Sequence, residues 1–260
     1  MKERSVSAVI ILAVLVISLL VGYRVFGLVM LIVAFLGFRE LFFIKFEKRK
    51  DKLEIIRIIS YIALMFIVLN NIFFNIKVEF VYILPILSLA IPIIMYKSDK
   101  YNIDDALFVL GIVFFLGFSI HNIIYMASID VYKCIFIFLV AFVTDTYAYI
   151  GGLLIGRHHF TDISPNKTVE GCIIGSFMAV VVGSVYYHLA IGGLDIWLIV
   201  FITLVLTILS EIGDLVMSSI KRYYNKKDYS NLIPGHGGIL DRFDSVIFVS
   251  LGFSLIMALL

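Results

Sequence analysis

The sequence predicts an all-α polytopic integral membrane protein, and three observations carry that prediction. Of its 260 residues, 62% are hydrophobic and only 15% are charged, against about 45–50% apolar and about 25% charged in an ordinary soluble domain. Apolar runs long enough to cross a bilayer, about 20 residues each, recur along the whole chain. The Lys and Arg residues are distributed unevenly among the intervening loops, which is the asymmetry that orients membrane helices.

Nine segments fit the spanning template, at 5–22, 25–44, 55–74, 78–96, 105–126, 131–155, 169–191, 196–220 and 242–260. The first lacks a small-residue cleavage site and is followed at once by a second run, so it reads as a retained helix rather than a cleaved signal peptide. A tight turn near Gly22 and Arg24 is expected to join the first two. Pro85 and Pro92 are expected to kink the fourth, which a membrane tolerates where neighbours satisfy the freed carbonyls. Five segments fall in residues 1–130, read as a scaffold for pairing and lipid access. The other four fall in 131–260, read as a catalytic region with motif-bearing loops. No soluble domain, repeat or low-complexity tract is evident.

With the N-terminus cytoplasmic, seventeen Lys and Arg residues fall on the inside, three (Arg24, Lys77, Lys133) on the outside, and Arg39 within a span. This bias predicts a multi-pass protein of the cell (inner) membrane, with the C-terminus outside. It also places Arg39, Glu40, Asp145, Glu170, Glu211, Asp214, Asp241 and Asp244 in the cytoplasmic half, so the active site is expected to face the cytoplasm. The basic loop Lys45–Lys52 doubles as an attraction for anionic lipid. Cys134 and Cys172 lie in or beside apolar runs and read as small buried hydrophobes, not as a disulfide.

Ionised groups at membrane depth are functional-site hypotheses by default. Glu211 and Asp214 stand three residues apart on one helix face, which Ser218 and Lys221 continue toward the cytosol. Two acids so placed repel each other unless a metal or bases lie nearby; a polar contact to Arg39 or Arg242 is the simpler explanation of Glu211. Asp241, Arg242 and Asp244 open the last span after Pro234, Gly235, His236, Gly237 and Gly238. Successive glycines let backbone N–H groups approach an anion, and His236 is suited to donate to a phosphate or to move a proton. Asp241 taken alone also has the bland reading of a helix N-cap. Upstream, Asp145 lies within a span with Tyr149 one turn on. Ser164-Pro165 reads as an N-cap with Pro at the first helical position. That places Lys167, Thr168 and Glu170 at a helix N-terminus, a natural phosphate site; a Lys reaching lipid headgroups explains them too. His158 and His159 read as solvated loop residues, and His121 and His188 lie near the outer ends of their spans.

Acids, bases and a glycine-rich loop together suggest a divalent metal and a phosphate. The residues alone therefore indicate an enzyme acting on a lipid phosphate, without naming a nucleotide. A different lipid phosphotransferase remains open, although the DGxxAR pattern of CDP-alcohol phosphotransferases is absent from the sequence. A secondary transporter is disfavoured because the charges gather at one membrane face. No P-loop, Rossmann glycine pattern, zinc spacing or Ser-His-Asp arrangement appears, and nothing points to nucleic acid.

Two motifs sharpen this reading. Ser219–Asp244, with Lys221-Arg222, Lys227-Asp228, Pro234, His236-Gly237-Gly238 and Asp241-Arg242-x-Asp244, closely resembles the C-terminal motif of phosphatidate cytidylyltransferases. Asp145-Thr146-x-Ala148-Tyr149, followed by Ser164-Pro165-Asn166-Lys167-Thr168-x-Glu170-Gly171, is similar to that family's second motif. Together they cover about the C-terminal half of the chain. The resemblance implies that CTP and phosphatidic acid of the cytoplasmic leaflet give CDP-diacylglycerol and pyrophosphate with Mg²⁺, in a homodimer, with a monovalent cation such as K⁺ beside the Mg²⁺. It implies Asp214 and Asp241 as metal ligands, with Glu211 and Asp244 as further ligands or behind them. Lys167, Lys221, Arg222 and Arg242, together with Ser164, Asn166 and Thr168, would bind phosphates. His236, Gly237 and Gly238 would line the triphosphate, and Asp145 and Glu170 would orient Lys167 or the cation.

Overall fold

The computed structural model describes residues 2–70, 72–73, 81, 83, 85–87, 90, 93, 101–233, 235 and 237–260. Eight α-helices are found among them and no strand: α1 (Lys2–Val21), α2 (Tyr23–Phe46), α3 (Glu54–Leu69), α4 (Ile103–Ile129), α5 (Val131–Ile155), α6 (Val169–Tyr186), α7 (Ile196–Tyr223) and α8 (Leu240–Leu259). A 3₁₀ stretch, Glu47–Leu53, links α2 to α3, and α6 widens into a π turn over Tyr187–Ile191. Six helices, α2 and α4 to α8, are long and apolar enough to cross a membrane. Eight of the nine segments expected from hydropathy coincide with a helix. Most of the fourth, 78–96, lies outside the described residues, Pro92 among them.

The helices keep large apolar side chains on their outer surfaces, among them Leu20, Leu154, Leu189 and Trp197, each more than three-quarters exposed. In water such a surface would drive aggregation; in a bilayer it faces lipid.

The chain divides into two compact units, Met1–Tyr125 with Asp228–Leu240, and Met126–Lys227 with Asp241–Leu260. The expected boundary at 130/131 left 228–240 with the C-terminal half, whereas its contacts group it with the N-terminal one.

In the first unit, α1 turns into α2 at Gly22, whose φ of 141° lies where only glycine sits comfortably. Phe26, Met30, Phe38, Phe42 and Phe46 run along the buried side of α2. Tyr61 of α3 meets Phe38 edge-on at 5.2 Å. Asn102 caps α4 through Asp105 N–H (2.8 Å). The buried Asp105 carboxylate receives both Arg49 nitrogens (3.0 and 3.2 Å) and Lys45 Nζ (3.2 Å).

The second unit contains Asp145, Lys167, Glu170, Glu211, Asp214, Lys221, Asp241, Arg242 and Asp244. Asp130 caps α5, Thr168 caps α6 and Asp195 caps α7, each side chain accepting a backbone N–H of the first turn. Between α5 and α6 the backbones nearly touch. Gly171, Gly175, Ala179 and Gly183 recur every fourth residue on the buried side of α6. A Cβ at Gly171 would lie 2.5 Å from Ala148 O, and one at Gly175 would lie 2.6 Å from Thr144 O. In lipid no hydrophobic force pulls helices together, so close backbone approach along a ridge of small residues supplies the packing energy instead. This contact sets the N-terminus of α6 beside the last turns of α5.

Candidate active site

Glu211 and Asp214 project from the C-terminal half of α7, and Lys167 meets both. Lys167 Nζ lies 2.6 Å from Glu211 Oε2 and 2.7 Å from Asp214 Oδ2. The cation demanded by two acids on one face is therefore Lys167, 44 residues upstream of Glu211. Burial alone would pull the Lys167 pKa down. The carboxylates of Asp214 and Glu211 outweigh that effect and hold it above the ordinary lysine value, so the group stays an ammonium.

The loop between α5 and α6 presents Lys167 through local hydrogen bonds. Phe160 N–H donates to Lys167 O and Val169 N–H to His158 O, both at 3.0 Å. These pair His159 with Thr168 as an isolated antiparallel bridge. The Glu170 carboxylate closes the loop by accepting from Arg157 N–H (3.1 Å), His158 N–H (3.2 Å) and His158 Nδ1 (2.5 Å). His159 Nδ1 bonds Pro165 O at 2.9 Å. Two expectations change here. The cap of α6 is Thr168, not Ser164, because 164–167 close a turn and Thr168 pairs with His159 before the helix begins at Val169. Ser164 O instead accepts from Lys167 N–H in a turn. Glu170 orients the loop backbone and His158, not Lys167.

The first turn of α8 supplies the remaining acids. Asp241 is not an N-cap; it is the second helical residue, and its Oδ1 lies 2.7 Å from Lys221 Nζ on α7. Both side chains are more than nine-tenths buried. Asp244 accepts its own helix's Ser245 N–H (2.9 Å), and Ser245 Oγ donates to Asp145 of α5 (3.1 Å). Ser218 Oγ donates to Asp214 at 3.3 Å.

These elements surround a cavity of about 280 Å³. Among the described residues, Asp145, Asp214, Asp241 and Asp244 line it against two bases, Lys167 and Arg242, with Asn166 and Thr168 beside them. Left to itself that wall would repel a polyphosphate. A divalent cation between acids and phosphate reverses the sign of the interaction. Glu211 Oε1, buried with no hydrogen-bond partner among the described residues, is a further oxygen in search of a positive charge. No three such donors are gathered around one point among the described residues. Mg²⁺ is usually held by one or two carboxylates and takes its other ligands from phosphate and water. The donor set fits a phosphate-bound divalent ion better than a closed all-protein site.

Of the residues expected at the site, Glu211 and Lys221 stand behind the cavity wall, on Lys167 and Asp241 respectively. Arg222 is occupied by backbone carbonyls, those of Ile163 (3.4 Å) and Lys226 (3.0 Å). Gly237, at φ 79°, and Gly238 belong to the first unit, and Pro234 and His236 lie outside the described residues. Cys172 was overlooked: it lines the cavity, and its thiol approaches Glu211 Oε2 at 3.5 Å. A cysteine in an apolar run carries no sequence signal for such a place. Beside it, an apolar recess of about 500 Å³ runs between α6 and α7, lined by Ile173, Phe177, Leu204 and Ile208, with Cys172 and Glu211 at its polar end.

The sequence model of the Cytidylyltransferase family matches residues 2–260. The chain is 34% identical over 254 residues to the phosphatidate cytidylyltransferase of Staphylococcus haemolyticus, covering 96% of each chain. It is 34% identical over 253 residues to that of Staphylococcus saprophyticus and 32% identical over 253 residues to that of Staphylococcus aureus, again with 96% of each chain covered.

Proposed function

This chain belongs to the cytidylyltransferase family, and on that premise we propose that it transfers a cytidylyl group from CTP to phosphatidic acid. A phosphate oxygen of phosphatidic acid attacks the α-phosphorus of CTP. The bond from that phosphorus to the oxygen bridging it to the β-phosphate breaks, leaving CDP-diacylglycerol and pyrophosphate. One observation carries the reading beyond family membership: four carboxylates and two bases meet in one cavity beside an apolar recess. Two polyanions and a lipid tail require that combination.

Phosphoryl-group transfer is mainly a matter of positioning and charge neutralisation. Asp214 and Asp241 are the residues that would hold Mg²⁺, with Asp244 and Glu211 next in reach; bound there, the ion would offset the charge of the triphosphate. Lys167, held by Glu211 and Asp214, has its ammonium pre-set for a phosphate, so no long side chain must be ordered during reaction. Arg242 offers a planar fork suited to two phosphate oxygens. Lys221, 2.7 Å from Asp241, aims that carboxylate. The recess between α6 and α7 would take an acyl chain while the headgroup phosphate reaches Lys167.

The charge asymmetry of the loops supports nine spans, a cytoplasmic N-terminus and a site open to the cytoplasm. Motif resemblance supports a homodimer and a monovalent cation beside the Mg²⁺.

The test is pyrophosphate release from purified protein in detergent, with phosphatidic acid, Mg²⁺ and each of the four NTPs in turn. Release is expected only with both CTP (or dCTP) and phosphatidic acid, and is expected to stop on adding EDTA. Folded protein that releases no pyrophosphate with any nucleotide would overturn the proposal.

A further inference from the structure

A second carboxyl group in the chain has found an unusual set of partners. Glu40 sits in α2, 5% exposed, in a stretch rich in Phe, Leu and Ile. A buried acid within an apolar helix is expensive to maintain, so its partners matter. Its Oε1 accepts from Ser230 Oγ (2.6 Å) and Ile239 N–H (2.9 Å), and its Oε2 accepts from Leu240 N–H (2.9 Å). Ile239 and Leu240 are the residues at which α8 begins. The first N–H groups of a helix have no partner within it and are ordinarily capped by a side chain from the residue just before. In this chain the cap comes from 200 residues away. Gly238 makes room for it: a Cβ there would lie 2.5 Å from Glu40 Oε1.

Helix α8 carries Asp241 and Asp244 as its second and fifth residues. Fixing the backbone at Ile239 and Leu240 therefore fixes where those acids start. We infer that Glu40 is a positioning residue for the transfer reaction: by capping α8 it sets the height and rotation of Asp241 and Asp244. This inference rests on the proposed function, and Glu40 itself touches neither reactant.

The experiment compares wild type, Glu40→Gln, Glu40→Asp and Ser230→Ala in detergent. Amide hydrogen exchange over 237–246 reports the cap without any reaction. Steady-state pyrophosphate release reports kcat, the KM for CTP and the half-saturating Mg²⁺ concentration. A Gln offers one acceptor oxygen in place of two and turns an NH₂ toward an N–H donor. Glu40→Gln is expected to speed exchange at Ile239 and Leu240 by about tenfold while the middle of α2 keeps its protection. It is expected to lower kcat roughly tenfold and raise half-saturating Mg²⁺ about fivefold, with the KM for CTP little changed. Ser230→Ala, a milder change, should shift the same quantities in the same direction, and keeps the test alive if Glu40→Gln does not fold. Glu40→Asp, which retains both oxygens, should recover part of the loss.

Unchanged exchange at Ile239 and Leu240 would refute the cap. Faster exchange there with wild-type kcat and Mg²⁺ dependence would refute the positioning role. Exchange rising uniformly along the chain, with the surviving active fraction keeping its Mg²⁺ dependence, would show a merely structural acid and equally overturn the inference. A wild-type protein without pyrophosphate release would defeat the proposed reaction, while the exchange arm would still decide the cap.

Discussion

Asp241→Asn is expected to reduce pyrophosphate release by about a thousandfold, equivalent to about 4 kcal/mol of transition-state stabilisation. Asp241 is nearly isosteric with Asn, so the cavity keeps its shape. What disappears is the negative charge available to a metal ion and to Lys221 at 2.7 Å. Lys221, a buried ammonium, then loses the carboxylate at 2.7 Å, so a loss of folding stability accompanies the loss of activity, on the order of 3 kcal/mol. The double variant Asp241→Asn with Lys221→Met separates the two effects. Thermal unfolding in detergent should show its stability largely restored, while activity stays at the level of the single variant. Activity within tenfold of wild type in purified Asp241→Asn would remove Asp241 from the metal site.

Lys167→Met should be comparably severe, for a different reason. Its ammonium is shared by Glu211 and Asp214. Removing it leaves two acids on adjacent turns of one helix without the ammonium between them, and takes from the cavity one of its bases. Activity is expected to fall by about a thousandfold, and stability by about 3 kcal/mol. Adding Glu211→Gln relieves the repulsion. The prediction is that Lys167→Met with Glu211→Gln unfolds at nearly the wild-type temperature yet remains inactive, because the phosphate has lost its partner. Recovery of activity in the double variant would mean that Lys167 serves only to neutralise Glu211.

Composition and hydropathy made most of the helices legible, because a membrane helix must present about 20 apolar residues in an unbroken row. Local motifs made the cavity legible: Asp145, Lys167, Asp214, Asp241, Arg242 and Asp244 were all expected together, and all line it. Pairing was harder to read. Glu211 was considered beside Arg39 or Arg242, yet it chose Lys167, since sequence gives the charge of a residue but not its distance from another. Ser164-Pro165 has the composition of a helix start, and local propensity favoured it. A backbone pairing between 158–160 and 167–169 won, carrying the start to Val169. Glu40 illustrates the limit best. Its position said only that an acid lay in an apolar helix; its role depends on amide groups 199 and 200 residues downstream.

The ridge of small residues on α6 inverts a common rule of protein engineering. Exchanging a helical glycine for alanine ordinarily stabilises by about 0.5–1 kcal/mol, by improving helix propensity and restricting the unfolded chain. At Gly111 of α4, where no atom of the described residues lies within 4 Å of an added methyl, that gain should be realised. At Gly171 and Gly175 the methyl would meet carbonyl oxygens of α5 at 2.5 and 2.6 Å, rigid backbone that cannot turn aside. There the same exchange should lower the unfolding temperature and pry Thr168 and Lys167 away from α5. A thermostabilised variant of this enzyme must therefore be sought away from the α5–α6 seam, whose apparent gaps in side-chain volume are what bring the two helices into contact.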